Sequence, residues 1–245
     1  MESILIVVVA IIVIFVIFII VSSNQKAKEE QSLKRKEQFL KRKKLLETVT
    51  KLDRGTSSER DLVLSLLDYG IPAQIIFHDL YLRRKSGNYS QIDLVVPTTA
   101  GIVVFEVKDY SGWIYGNGNS SQWTQVLAFG NQKHRFYNPI KQNYSKILQL
   151  RKLIGDVPFF SVIVFSGNCE LKDITFVPEG TFVVREERVW EVMRIIQSKE
   201  PAPYTDKHKV VRILKQAVEN GEQKNIEIEH AENVTDLLGK HRVFD

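Results

Sequence analysis

The chain has 245 residues, of which 44% are hydrophobic and 26% are charged, and it carries a formal net charge of +5. This length allows one sizeable folded domain with additional segments, and the composition is ordinary for a folded protein. A single cysteine, Cys169, excludes an intramolecular disulfide framework and suits a reducing compartment.

The first strong feature is an apolar run at residues 4–21, which contains only Ile, Leu, Val, Phe and one Ala. As a helix this run would be about 27 Å long, close to the roughly 30 Å hydrocarbon core of a bilayer. A signal peptide would have a positive segment before the run and a cleavage site after it, whereas Met-Glu-Ser precedes this one. The sequence therefore predicts an uncleaved, single-pass transmembrane helix.

A polybasic linker is predicted at residues 22–54. The stretch from Lys26 to Lys44 holds nine Lys or Arg against three Glu. By the positive-inside rule, residues 1–3 face outward and the rest of the chain is cytoplasmic. Residues 1–54 carry the whole net charge of +5, with 11 basic and 6 acidic residues, and the remainder has 23 of each. This distribution favours anionic lipid head groups as the partner of the linker, ahead of nucleic acid.

A folded domain is predicted at residues 55–200, followed by a C-terminal helix and polar tail at 201–245. The segment Ser58-Glu59-Arg60-Asp61 has the form of a capping box before a helix. The spacing of the apolar residues that follow places Glu59 on the core-facing stripe of this helix. Glu59 is therefore either directed into the domain or simply favoured by the dipole of the first turn.

The centre of the domain is a predicted hairpin. Two runs rich in β-branched residues, 91–97 and 102–108, flank a four-residue break that is typical of a hairpin loop. With this loop Pro97 lies opposite Ile102, which places Asp93 across from Glu106. Lys108 lies on the same face as Glu106 because side chains alternate along a strand. The pattern predicts a divalent-cation site with an ammonium beside it, and the alternative is a solvated, charged edge hairpin.

The remaining elements complete an α/β domain. A second hairpin is predicted around residues 113–115 and 122–127, in which Trp113 and Trp123 either pack or stack on bases, with packing preferred. Asn138-Pro139 begins a helix with Gln142 in its first turn. Residues 159–165 form a strand buried on both faces, residues 181–184 another strand, and helices follow at 186–198 and 206–219. This order predicts a mixed central β-sheet flanked by helices.

Several short motifs together resemble the nuclease-related domain (NERD) family, which belongs to the PD-(D/E)XK nuclease-like superfamily. The resemblance covers residues 55–167 and rests on Glu59, Gln91-Ile92-Asp93, Phe105-Glu106-Val107-Lys108, Tyr110-Ser111-Gly112, Trp123, and Asn138-Pro139 with Gln142. It implies a restriction-endonuclease-like fold. One departure is Ser58, which stands where the family often has Gly before the helix glutamate.

The resemblance also implies roles for individual residues. It implies that Asp93, Glu106 and Glu59 bind Mg²⁺, with Mn²⁺ as an alternative. It further implies that Lys108 positions or activates the attacking water and that Gln142 contacts the substrate strand. Asp93, Glu106, Lys108, Glu59 and Gln142 are therefore the predicted catalytic residues.

The leading functional prediction is a membrane-anchored, cytoplasm-facing, Mg²⁺-dependent nuclease that hydrolyses phosphodiester bonds of nucleic acid, DNA in preference to RNA. The alternative is a catalytically silent nuclease-fold binding or scaffold protein at the membrane. The zero net charge of residues 55–245 favours this alternative, because a nuclease that grips a duplex usually has a basic face. A third hypothesis, a lipid-signalling protein, rests on the polybasic linker alone.

Overall fold

The computed structural model describes residues 2–127, 130–223 and 226, and it describes side chains from Ser23 onward within these ranges, Ala27 excepted. Two compact units are present, Met1–Glu47 and Thr48–Asp245. The first unit contains helix α1, Glu2–Leu46. This helix is continuous because the segment contains no Gly or Pro to interrupt it. The basic side chains between Lys28 and Arg42 are exposed along it.

Among the helices whose side chains are described, none is both long enough and apolar enough to cross a membrane. The predicted transmembrane span at residues 4–21 lies outside these described side chains and stays a prediction. The predicted outward placement of residues 1–3 likewise stays a prediction.

The second unit is built from nine described strands and four described helices, with short 3₁₀ turns at Ala73–Ile75 and Glu186–Arg188. The helices are α2 Ser57–Asp68, α3 Pro139–Ile154, α4 Val189–Gln197 and α5 Lys207–Asn220. The strands are β1 Phe77–Arg83, β2 Tyr89–Thr98, β3 Gly101–Asp109, β4 Gly112–Asn117, β5 Gln122–Leu127, β6 Gln132–Tyr137, β7 Phe159–Ser166, β8 Cys169–Thr175 and β9 Thr181–Arg185.

The larger sheet has five strands in the order β1-β2-β3-β7-β9. The first three strands are antiparallel neighbours, and β3, β7 and β9 run parallel. Residues 162–165 of β7 are fully buried, which confirms the predicted strand buried on both faces. Apolar side chains of α3 and α5, such as Leu150 and Leu214, join the core formed with this sheet. The predicted mixed α/β fold with helices flanking the sheet is confirmed.

A second sheet of four strands, β6-β5-β4-β8, was not separated from the first in the sequence prediction. One face of this sheet packs on the larger sheet through Ile114 and Trp123, which contact Ile163 and Phe165. The rings of Trp123 and Phe165 stack with centroids 6.1 Å apart. A Cβ atom at Gly116 would lie 2.4 Å from the Trp123 ring, so this strand needs glycine there. The preferred packing interpretation of Trp123 is therefore confirmed.

Candidate active site

The β2–β3 hairpin has the predicted register. Pro97 pairs with Ile102 and Leu94 pairs with Phe105, and the next position along both strands places Asp93 opposite Glu106. The connection is shorter than the predicted four residues, because Thr98 pairs with Gly101 and leaves only Thr99 and Ala100 between the strands. Extending the ladder by one pair does not shift the register, so the two carboxylates still face one side of the sheet.

Asp93 and Glu106 share a third partner that the sequence prediction missed. Lys146, on α3, places its Nζ 2.7 Å from Asp93 Oδ1 and 2.5 Å from Glu106 Oε2. Lys108 Nζ lies 2.6 Å from Glu106 Oε1. Asp93, Glu106 and Lys146 are all buried, with exposed fractions of 8%, 1% and 7%. Two carboxylates and two ammonium groups thus form one charge-balanced cluster.

The cluster changes the proton affinity of two of its members. Burial alone would raise the pKa of Asp93, but the ammonium groups of Lys146 and Lys108 and a hydrogen bond from the Val107 amide hold that pKa below its usual value. Burial would lower the pKa of Lys146, whereas the carboxylates of Asp93 and Glu106 raise it above the ordinary value. Both groups are therefore charged at neutral pH.

The position of Lys146 is fixed by the beginning of α3. Asn138 caps the helix by accepting a 2.9 Å hydrogen bond from the Ile140 amide, and its amide group donates to backbone carbonyls of the β4–β5 turn. Asn143 is fully buried and donates to the Val104 carbonyl at 2.8 Å. These contacts hold the helix against β3. Gln142 and Lys146, one turn apart, then lie on the side of α3 that faces the cluster.

The cluster lies in an open cavity of about 600 Å³. All five catalytic residues predicted from the sequence line it. The full lining is Glu59, Arg84, Ser90, Gln91, Asp93, Glu106, Val107, Lys108, Tyr137, Gln142, Ser145 and Lys146. The polar lining and the position of the carboxylates in the wall are typical of a site for a charged ligand.

Glu59 lines this cavity but is paired elsewhere. The N-cap of α2 is Thr56, not Ser58 as the capping-box pattern predicted, and its hydroxyl donates to Glu59 Oε1 at 2.9 Å. Glu59 Oε2 lies 3.4 Å from Nε2 of the buried His78. Within the described parts of the chain, no three His, Cys, Asp or Glu side chains are close enough to hold a metal together. The role of Glu59 as a metal ligand stays a prediction.

Gly55 is required where Glu59 and His78 meet. Its backbone has φ +63°, and a Cβ atom there would lie 2.5 Å from Glu59 Oε2 and 2.6 Å from His78 Nε2. His78 is held from its other side by a 2.9 Å contact between Nδ1 and the Thr50 hydroxyl. The segment before the predicted domain boundary at residue 55 therefore supports His78, which in turn contacts Glu59 of the cavity wall.

A further buried carboxylate, Asp79, lies across from Asp93 where the β1–β2 ladder is interrupted. Its φ is 55°, an unusual value for a residue other than glycine. Arg54 Nε donates to Asp79 Oδ2 at 2.9 Å, and Gln91 Nε2 donates to Oδ1 at 2.7 Å. The two opposed aspartates thus pair with different cations, Asp79 with Arg54 and Asp93 with Lys146, and Asp79 also fixes the orientation of Gln91 at the cavity.

The donor set of the cluster fits a hard divalent cation. Asp93 Oδ1 and Glu106 Oε2 converge on one point, which the Lys146 ammonium occupies. Carboxylate oxygens are the ligands that Mg²⁺ and Mn²⁺ prefer. A divalent ion bound by these two oxygens would compete with Lys146 for them.

Comparison with known proteins identifies the region that contains this site. Residues 54–166 match the NERD family, described as the nuclease-related domain. The chain is also 31% identical over 122 residues to an uncharacterized protein of Bacillus anthracis, an alignment that covers 49% of this chain and 57% of that relative. The chain thus spans little more than half the length of the relative. No solved structure matches the chain. The resemblance seen over residues 55–167 is confirmed by the family match.

Proposed function

We propose that the nuclease-related domain at residues 54–166 hydrolyses phosphodiester bonds of nucleic acid with the help of Mg²⁺ or Mn²⁺, and that DNA is preferred to RNA. The observation that carries this proposal is the buried Asp93–Glu106 pair, which converges on one cation position in the wall of an open polar cavity. Lys108 lies beside the pair and adds positive charge next to that position.

Asp93 and Glu106 would hold the cation. When bound, it supplies Lewis-acid polarisation of a phosphoryl oxygen. Lys108 is only partly buried, so its ammonium is available to stabilise negative charge that develops on the phosphate. Arg84 and Gln142 line the cavity wall and would hold the nucleic-acid strand by hydrogen bonds to phosphate or base.

Lys146 acts as the internal counter-ion of the site in this proposal. With no divalent ion bound, its ammonium neutralises both carboxylates and keeps them from repelling one another. If Asp93 and Glu106 held a divalent ion, the Lys146 ammonium would no longer be needed to neutralise them and would be available to an incoming phosphate. The same side chain thus stabilises the free site and contributes to substrate binding.

The test measures whether the full chain, purified in a mild detergent, cleaves single-stranded DNA, duplex DNA or RNA. We expect cleavage in Mg²⁺ or Mn²⁺ and none in EDTA, because the two carboxylates need a bound cation to act on a phosphodiester. Folding is checked by circular dichroism in the same buffers. A folded protein that cleaves no substrate with either metal would overturn the proposal.

A binding or scaffold role without turnover is the second candidate function. The observation that favours it is the complete charge balance of the four-residue cluster, in which Lys146 already satisfies both carboxylates. Such a cluster can act as a purely structural ion network. Cleavage in the assay above would exclude this candidate, and a folded protein that binds nucleic acid without cleaving it would favour it.

We further propose that residues 4–21 anchor the domain in the cell membrane with the domain in the cytoplasm, and that the stretch from Lys26 to Lys44 contacts anionic lipid head groups. We expect the full chain to stay with membranes after alkaline carbonate extraction. The Ile12→Lys and Phe15→Lys double variant should be released, because each Lys at the centre of a span costs about 3 kcal/mol. Extraction of the wild-type chain would contradict the anchor.

The lipid contact is tested with a peptide of residues 26–44, which should bind anionic vesicles more tightly than neutral ones. Equal binding to both would contradict the lipid contact.

A further inference from the structure

The smaller sheet has an outer face that the proposed chemistry does not use. Side chains alternate along its strands, so Ile114 and Trp123 point into the core while Trp113 and Tyr115 lie on the other face. In the register of this sheet, Trp113 pairs with Val126, and Val126 pairs with Lys133. The outer face therefore combines aromatic and basic side chains.

This face contains a shallow groove of about 670 Å³. Its walls include Trp113 and Tyr115 on β4 and Lys133 and Arg135 on β6, and none of its described lining residues is acidic. Both basic side chains are exposed, and Tyr115 is 37% exposed. The ammonium of Lys172 lies 5.3 Å from the centre of the Trp113 ring but is paired with Glu170 at 2.6 Å, so the free positive charge beside the groove comes from Lys133 and Arg135.

Strand β6 leads from this groove to the active-site cavity, because its residues line both. Every second side chain of this strand points to the same face, so Lys133, Arg135 and Tyr137 form one row in which neighbours are about 6.6 Å apart. Tyr137 is 56% exposed and also lines the cavity that contains Asp93 and Glu106. One row of side chains thus connects the groove to the cluster.

We propose that this row and groove bind single-stranded nucleic acid and lead it into the cavity, an inference that rests on the proposed nuclease function. The half-buried ring of Trp113 and the exposed ring of Tyr115, beside the exposed Lys133 and Arg135, suit a strand whose bases are free to stack and whose phosphates are negative. A duplex keeps its bases stacked internally and offers none to Trp113 or Tyr115. The substrate class is therefore single strands or single-stranded ends, of DNA or RNA.

The test is the binding of a fluorescein-labelled single strand of about 20 nucleotides to the full chain in detergent, with EDTA present to prevent cleavage. We expect Trp113→Ala to raise the Kd about tenfold and Trp113→Phe to restore most of the affinity, because a Phe ring still stacks. The Lys133→Gln and Arg135→Gln double variant should flatten the plot of log affinity against log salt by about 1.4, or 0.7 for each phosphate contact.

A matched control neutralises two exposed basic residues of α5, which packs on the edge strand β1. The Arg212→Gln and Lys215→Gln double variant loses the same charge and should keep the wild-type affinity and salt slope. Parallel measurements with single-stranded RNA and duplex DNA of the same sequence separate the substrate classes. We expect the duplex to bind more weakly than either single strand.

Binding outcomes and cleavage outcomes separate the two proposals. If both groove variants bind with wild-type affinity, or if the protein binds no single strand, the proposed binding groove is overturned even if the protein cleaves nucleic acid. Binding that depends on the groove residues, without metal-dependent cleavage, would support the proposed binding groove and overturn the nuclease proposal. Trp113→Ala is checked for folding by circular dichroism. The Lys133→Gln and Arg135→Gln double variant changes only exposed side chains, so it tests the groove without disturbing the core.

Discussion

Asp93→Asn and Glu106→Gln are each expected to lower the rate of nucleic-acid cleavage by about two to three orders of magnitude. Each change keeps the size of the side chain but removes one of the two negative charges that converge on the cation position. A neutral amide is a weaker ligand for a hard divalent ion, so both metal binding and the rate should fall. The measurement is the initial cleavage rate against metal concentration.

A matched control for these variants is Asp109→Asn. Asp109 ends the same strand β3, is exposed, and accepts a 2.7 Å hydrogen bond from the Ser58 hydroxyl. This variant loses the same charge close to the cluster without touching the cation position. We expect it to cleave at nearly the wild-type rate. Wild-type rates in Asp93→Asn and Glu106→Gln would place the catalytic centre elsewhere.

Lys146→Met is expected to lower the free energy of unfolding by about 3 to 5 kcal/mol in the presence of EDTA. Methionine fills a similar volume but leaves Asp93 and Glu106 as two buried carboxylates without their shared cation. Adding Mn²⁺ should restore much of the lost stability, because the ion binds the oxygens that the ammonium has left. Chemical unfolding with EDTA and with Mn²⁺ measures both effects.

The pH dependence of this variant has a definite sign. The lowered pKa of Asp93 in the wild-type protein stabilises the fold at pH values above the unfolded pKa of about 3.9, and this stabilisation is lost as the pH falls below it. Lys146→Met removes the largest of the charges that lower this pKa, so less of the stabilisation should remain in the variant. The stability difference between the two proteins should therefore be largest near neutral pH and shrink as the pH falls below about 4.

Lys152→Met provides the control on the same helix. Lys152 lies in the last turn of α3 and is exposed, so its removal should change the stability by less than about 0.5 kcal/mol and leave the response to Mn²⁺ unchanged. If Lys146→Met were as stable as this control in EDTA, the ammonium would contribute little to holding the carboxylate pair together.

The hairpin that carries the candidate site could be predicted from the sequence alone. Strict alternation of side chains together with one clear break fixed the register, so Asp93, Glu106 and Lys108 were placed on one face correctly. The length of the turn was wrong by one pair, but a symmetric extension of the ladder does not change which residues face each other. The predicted site residues were therefore correct in position although the predicted loop was too long.

Lys146 could not be placed from local patterns, because its contacts depend on how α3 packs across β3. The signal in the sequence was a lysine next to Ile147 and one turn before Leu150, on the apolar stripe of the helix. Strands β6 and β8 were missed because their sequences are mostly polar, as expected of strands with solvent-exposed residues. Tertiary packing, not local propensity, makes these segments strands.

The most direct test of the candidate site measures the binding of Mn²⁺ to the metal-free full chain by electron paramagnetic resonance and isothermal titration calorimetry. The wild-type protein should bind Mn²⁺ saturably, Asp93→Asn should lose this binding, and Lys146→Met should bind more tightly because no ammonium competes. Equal Mn²⁺ binding by wild type and Asp93→Asn would contradict a cation site between Asp93 and Glu106.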